Sequence, residues 1–240
     1  MRPAIFLHLQ KTAGSSIVRL AKRDCGVGAV TSHGDFASLP DEGVHFISGH
    51  FGYSYAKSRL ENRYSFTFLR NPIDRVISLY NFCSQRNPEQ FPIYAEANKR
   101  NFEDFVSFCS TRPTSSADNN ARIVYETVWN NMTWQLAYGW NASLNEPNRT
   151  TVLEFSEDDL LNTAKSNLDH FDFVGLDTTY SKDAAHVVSH LGIKATEIPV
   201  INSSVKRIHR ERLSNETIDL VRKSNLLDLE LYDYACSNRH

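Results

Sequence analysis

The chain has 240 residues, 41% of them hydrophobic and 22% charged, with 26 basic side chains against 28 acidic ones and a net charge of −2. That balance belongs to a globular domain and excludes a general polyelectrolyte attraction to nucleic acid, so any anion site must be local. No run approaches the ~20 apolar residues of a membrane span, and the first strand-like run starts about three residues in, which leaves no room for a signal peptide. Cys25, Cys83, Cys109 and Cys236 are widely spaced, without a C-x-x-C pair, and read as free, buried thiols rather than metal ligands. Five N-x-[ST] sequons, at Asn131, Asn141, Asn148, Asn202 and Asn215, read as accidental without a targeting signal.

In chain order, the apolar run Ile5-Phe6-Leu7 predicts a strand, and the small-residue turn through Lys11, Thr12, Ala13, Gly14, Ser15 and Ser16 leads into helical spacing at Ile17, Leu20 and Ala21. A strand, a small-residue loop and a helix N-terminus make an anion site, because unpaired N–H groups and the positive end of the helix dipole point the same way. Lys11 adds a charge, the three hydroxyls add donors, and Gly14 permits close backbone approach. The lysine comes before the glycine, the reverse of G-x-x-x-x-G-K-[ST], which disfavours an ordinary P-loop NTPase.

Residues 24–44 read as irregular connection, followed by a strand-like run at Val44–Ser48 that ends in Gly49-His50-Phe51-Gly52-Tyr53. Tyr64–Leu69 is the next strand, closed by Arg70-Asn71-Pro72, and Ile73, Val76, Ile77 and Tyr80 carry the helix that Pro72 opens. Residues 84–101 look like a surface excursion, Phe102–Cys109 a short helix, and Arg122–Tyr138 one longer helix. Thr150–Phe155 reads as a strand, Ser156 as the cap of a helix with an acidic first turn, and Phe171–Leu176 as the last strand, before helices near 180–191 and 214–236.

Strands alternating with helices predict an α/β fold, one domain over 1–240 with a central, mainly parallel sheet flanked by helices. Ligands of such sheets bind at the carboxyl ends of the strands, which gathers the Lys11 loop, His50 and Arg70 on one edge. Arg70 at a strand end and Ser78 on the following helix suit a second anion, through a bidentate guanidinium and a hydroxyl; alone, Arg70 would serve as an ion-pair partner for Asp74.

Two segments carry a resemblance. Phe6-Leu7-His8-Leu9-Gln10-Lys11-Thr12-Ala13-Gly14-Ser15-Ser16 is similar to F-x-H-x-P-K-T-G-G-T-S, and Phe66-Thr67-Phe68-Leu69-Arg70-Asn71-Pro72-Ile73-Asp74-Arg75-Val76-Ile77-Ser78-Leu79-Tyr80 is similar to F-x-x-L-R-x-P-x-x-R-x-x-S-x-Y. Both patterns belong to sulfotransferases that use 3′-phosphoadenosine 5′-phosphosulfate (PAPS), in the group of the heparan sulfate 2-O- and 6-O-sulfotransferases. The tail Leu226–Ala235 also resembles their closing helix. Gln10 and Ala13 depart from the pattern, where proline and glycine are usual, and an alanine suits the loop only at negative φ.

The resemblance implies a P-loop-NTPase-like sulfotransferase fold, with Lys11, Thr12, Ala13, Gly14, Ser15 and Ser16 on the 5′-phosphosulfate and Arg70 and Ser78 on the 3′-phosphate. Ser204, Lys206 and Arg207 are further cofactor contacts from a loop before the last helices. It also implies in-line sulfuryl transfer to an acceptor hydroxyl, with His50 as base, Lys11 stabilising the leaving phosphate and no metal. His33 and His45 are secondary base candidates facing the acceptor, while His8 reads as a core histidine. Tyr53, Arg122, Trp134 and Gln135 are candidate acceptor contacts, and the excursion over 84–148 borders the acceptor cleft.

A glycan is the acceptor the resemblance favours. Tyrosine in a peptide, a small phenol and a lipid alcohol are alternatives, and a nucleotide-binding protein without transfer activity is the non-enzyme reading. The expected setting is cytoplasmic and bacterial, or the Golgi lumen if an anchor has been trimmed away.

Overall fold

Four strands, β1 (Ala4–Leu7), β2 (Phe46–Gly49), β3 (Tyr64–Leu69) and β4 (Phe173–Leu176), pair in the order β2-β1-β3-β4, every pair parallel. The computed structural model describes residues 1–34, 43–114, 118–140, 150–195, 198 and 208–238. Ala4 lies opposite both Phe46 and Tyr64, and Phe66 opposite Phe173, so β1 and β3 are interior strands. Covered on both faces, both are buried throughout: β1 reads as a continuous apolar run, while in β3 the polar Ser65 and Thr67 alternate with aromatic residues and the Thr67 hydroxyl donates to the Leu7 carbonyl.

The strand period of two sends Ile5, Leu7 and Ile47 to one side. There they pack on α2 (Tyr53–Ala56), α7 (Asn131–Ala137), α8 (Glu157–Leu168) and α11 (Leu226–Ser237). Ala4, Phe6, Phe46, Phe66 and Phe68 face the other side, against α1 (Ser15–Cys25) and α9 (Tyr180–His190). A third cluster joins α3 (Pro72–Cys83), α4 (Pro92–Lys99), α5 (Phe102–Cys109), α6 (Asn119–Val128) and α10 (Asn215–Lys223) into a helical annex beside the sheet. The single α/β domain is as the alternation predicts.

Several boundaries differ from expectation. Thr150–Phe155 holds no strand: Val152–Glu154 is a 3-10 turn, because the Thr151 hydroxyl and the Glu154 carboxylate cap each other's backbone. The helix expected over Arg122–Tyr138 is two, broken at Asn130, whose φ of 40° lies in the left-handed region. Within 84–101, Pro92 opens α4, since a proline at the first helical position lacks only an N–H that would be unpaired anyway. The helical span 214–236 breaks at Ser224-Asn225. Cys83 and Cys109 are buried thiols as expected, but Cys236 is exposed. The Asn131 sequon is fully buried, beyond reach of any glycosylating enzyme in the folded chain.

Behind the sheet edge, α3, α7 and α11 are tied by buried polar groups. Asp228 on α11 accepts the N–H groups of Met132 and Thr133 and the Thr133 hydroxyl, so it caps the start of α7. Arg75 on α3 donates to the carbonyls of Thr127 and Val128 and to Asn131, with its Nε 3.9 Å from Asp228. Burial pushes the Asp228 carboxyl up and the Arg75 guanidinium down, against the attraction between them.

Candidate active site

Three strand ends supply the site. After β1 the chain turns through Lys11, with φ 68°, and Ala13, with φ 71°, before Gly14 caps α1 at φ −66°. Ala13 thus occupies the left-handed region, contrary to the negative φ expected of it, and an L-residue is strained there. Gly14 is needed for space rather than for φ: a Cβ would overlap the Phe6 and His8 rings, which stack at 4.7 Å. The backbone N–H groups of Thr12, Ala13, Gly14 and Ser15 donate to no carbonyl among the described residues, and no side chain caps α1. They form the positive helix end that an anion meets.

The loop is braced from outside it. The Thr12 hydroxyl donates back to the Leu9 carbonyl at 2.9 Å, so its oxygen is left only as an acceptor or shared group. Tyr180, on α9, donates to the Ala13 carbonyl at 3.0 Å and also bonds Ser16. Arg70, directly after β3, donates to the Lys11 carbonyl at 3.2 Å, which brings the two predicted anion arms together. Asp74, the ion-pair partner Arg70 would have had, is bound to Arg210 at 3.2 Å. Ser78 is half-buried on α3, one turn before Phe82.

Lys11 extends over the Phe82 ring, its Nζ 4.1 Å from the centroid, and the Arg86 guanidinium lies 4.2 Å from the same centroid. Burial, with Arg70 and Arg86 adding repulsion, brings the Lys11 ammonium down to about 8, and the buried Cys83 thiol nearby opposes that shift. Lys11, Arg70 and Arg86 have no carboxylate partner among the described residues. A desolvated lysine beside two arginines and four unclaimed N–H groups is the chemistry of an anion site.

His50 follows β2. Its Nδ1 lies 2.6 Å from the His8 carbonyl oxygen, which only accepts, so Nδ1 carries the proton and Nε2 keeps the basic lone pair. Burial chiefly, with nearby His33 and Lys11, holds the imidazole down at about 4, the bond to His8 opposing. His50 is therefore neutral through the whole physiological range. His8 is buried, as a core histidine should be, and its carbonyl fixes the His50 tautomer. The exposed His33 ring meets His50 edge-on at 5.2 Å, with φ 54°.

The other candidates are not at this edge. His45 precedes β2 and lies at the amino end of the sheet, where its carbonyl accepts from Ala4 and Arg63. Tyr53 turns the same way and bonds His170, in the segment that leads into β4. Trp134 is fully buried in the core, and Arg122 is buried on α6, donating to Asn119. Gln135 is fully buried too, with its amide on the carbonyls of His50 and Phe51, so it contacts the peptide that carries His50 rather than the surface. Ser204, Lys206 and Arg207 lie outside the described residues.

Tyr180 and Phe82 are residues of this edge that the sequence pattern does not mark, and Arg86, which as a basic residue suits a cleft for a polyanionic acceptor, lies instead over Phe82 beside Lys11. Phe82 and Ser78 share a face of α3 at i, i+4, and that spacing was the available signal. Tyr180 reaches the loop only through the sheet, so no local pattern marks it.

The sequence profile of the sulfotransferase family matches residues 3–235. This chain belongs to the sulfotransferase family. A comparison with curated proteins finds no significant match. As a sulfotransferase it is an enzyme that moves a sulfuryl group from a sulfate donor to a hydroxyl-bearing acceptor. The sheet and its flanking helices accord with the sulfotransferase fold. No helix among the described residues of this sulfotransferase is long and apolar enough to cross a membrane.

Proposed function

We propose that the enzyme is a PAPS-dependent O-sulfotransferase acting on a carbohydrate hydroxyl, with His50 as general base and Lys11 as the group that stabilises the departing phosphate. The observation that carries this reading is the meeting of Lys11, Arg70 and a neutral His50, its Nε2 unprotonated, where β1, β3 and β2 end.

The residues fit the donor. The N–H groups of Thr12 to Ser15, with Lys11, suit the 5′-phosphosulfate, and Arg70 with Ser78 suits the 3′-phosphate. PAPS supplies an activated sulfuryl group on an anhydride whose bridging oxygen leaves with the phosphate. His50 Nε2 takes the proton of the acceptor hydroxyl as that oxygen bonds to sulfur. Lys11 meets the negative charge that grows on the bridging oxygen as its bond to sulfur breaks. The carbohydrate acceptor rests on the resemblance of the paired motifs, and the excursion over 84–148 would border it.

Titration calorimetry with 3′-phosphoadenosine 5′-phosphate (PAP), in EDTA, on wild type, Lys11→Ala and Arg70→Ala tests the donor. The expected result is micromolar or tighter binding lost in both variants; no binding to wild type overturns the reading. An acceptor screen with heparosan oligosaccharides, a tyrosine peptide and 4-nitrophenol then tests the carbohydrate assignment, with His50→Ala as control. Transfer to the peptide or phenol alone overturns it.

A further inference from the structure

The aim of the His50 ring depends on the peptide that carries it, and that peptide bends out of the strand. Consecutive carbonyls of an extended strand point in opposite directions, yet those of His50 and Phe51 both turn toward α7. One amide holds them: Gln135 Nε2 lies 3.1 Å from each oxygen. With the His50 N–H donating to the His33 carbonyl at 3.0 Å and Nδ1 to the His8 carbonyl, every hydrogen-bonding group of the residue except Nε2 is engaged.

The amide itself has little freedom. Gly52 and Gly139 touch backbone to backbone, so that a Cβ on Gly52 would overlap Tyr138 and Gly139, and one on Gly139 would overlap Gly52. Gly52 N–H donates to the Trp140 carbonyl at 2.7 Å and Ser54 N–H to the Tyr138 carbonyl at 3.0 Å. The Gln135 backbone borders the same contact, at 2.9 Å from the position of a Gly139 Cβ. Asp228 pins the other end of α7.

We propose that Gln135 is the positioning residue of the base: by clamping the His50 and Phe51 carbonyls it fixes the bend that puts Nδ1 on His8 and leaves Nε2 facing the acceptor. The inference deepens the assignment of His50 as base and rests on it. Gln135 is buried and touches no reacting atom. Without its two donors the buried carbonyls lose their partners, the bend relaxes toward strand geometry, and the ring leaves His8. His50 then samples both tautomers, as a free imidazole does.

The test is nitrogen NMR of histidine-labelled protein, with His50→Ala assigning the signal, on wild type, Gln135→Leu and the isosteric Gln135→Glu. The Glu variant serves if the Leu variant does not fold. PAP binding within about twofold of wild type certifies each fold. The wild-type signal is expected to show a protonated Nδ1 and bare Nε2 near neutral pH, and the variants mixed tautomers. With a turned-over acceptor, kcat is expected to fall at least tenfold while donor KM stays within twofold. An unmoved His50 spectrum in a variant that binds PAP overturns the positioning role. The tautomer readout needs no acceptor, so it is separate from the base assignment, which full turnover by His50→Ala overturns.

Discussion

His50 and His8 are joined across β2 and β1 by a 2.6 Å hydrogen bond from Nδ1 to a backbone carbonyl, and that bond decides which ring nitrogen carries the proton and which is left basic. His50→Ala is expected to cut transfer by about 10²–10⁴-fold, the usual contribution of a positioned base. PAP affinity is expected to stay within twofold. Steady-state rates beside a PAP titration check both halves.

The two shifted cations set the pH dependence. In the proposed roles His50 must be neutral, and burial brings it down to about 4, while Lys11 must be charged, and burial brings it down to about 8. In the free enzyme kcat/KM is therefore expected to be flat between those values and to fall on either side. A bound anionic donor raises the Lys11 value, so the alkaline limb of kcat moves upward and binding above pH 8 takes up a proton. Calorimetry at pH 8.5 in two buffers of different ionisation enthalpy measures that uptake.

Stability carries the same signs. Both groups are depressed relative to the unfolded chain, so the unfolded state binds the extra proton between about 4 and 6.5 for His50 and between about 8 and 10.5 for Lys11. Each contribution makes the fold more stable as pH rises through its window. Lys11→Met removes a charge whose burial costs on the order of 3 kcal/mol at pH 7. The variant is expected to resist urea better than wild type while losing PAP affinity 10- to 100-fold.

Ala13 at φ 71° carries strain that glycine would not. Ala13→Gly is expected to stabilise the protein by about 1 kcal/mol and to retain PAP binding, while Gly14→Ala is expected to destabilise it through overlap with Phe6 and His8. Denaturant midpoints of the two variants decide it.

Arg75 and Asp228 should fail singly and recover together. Asp228→Asn or Arg75→Met leaves a buried charge without its partner and is expected to cost about 3–5 kcal/mol. An Arg75→Met, Asp228→Asn double variant leaves neither charge buried alone and keeps an amide oxygen to accept from α7, so it is expected to regain part of that loss. Chemical denaturation of the three proteins checks the pattern.

What the sequence disclosed follows from where the information is local. The Lys11 loop, His50 and Arg70 were legible because each directly follows a strand-like apolar run, and a parallel sheet aligns such junctions without further detail. The Thr150–Phe155 run misled because its β-branched residues fit a strand, while the reciprocal Thr151 and Glu154 caps decide for a turn. Asn130 gave no warning in the helical pattern, since its left-handed backbone is held by a residue far away: its side chain accepts the Asp228 N–H. Gln135 and Trp134 looked like cleft residues because a helix shows its periodicity but not which side the sheet will cover.

The pairing pattern also governs how the site comes into being. Ala4 must find Phe46 and Tyr64, and Phe66 must find Phe173, before the sheet exists, so the contacts that define the fold are long in sequence. Loops of that size close at an entropic cost before they return any stabilisation, which makes folding slow. Lys11, His50 and Arg70 hang on three strands that this pairing aligns. The three strand ends therefore come together late, with the whole domain, and a ligand bound across them is expected to report on global rather than local order.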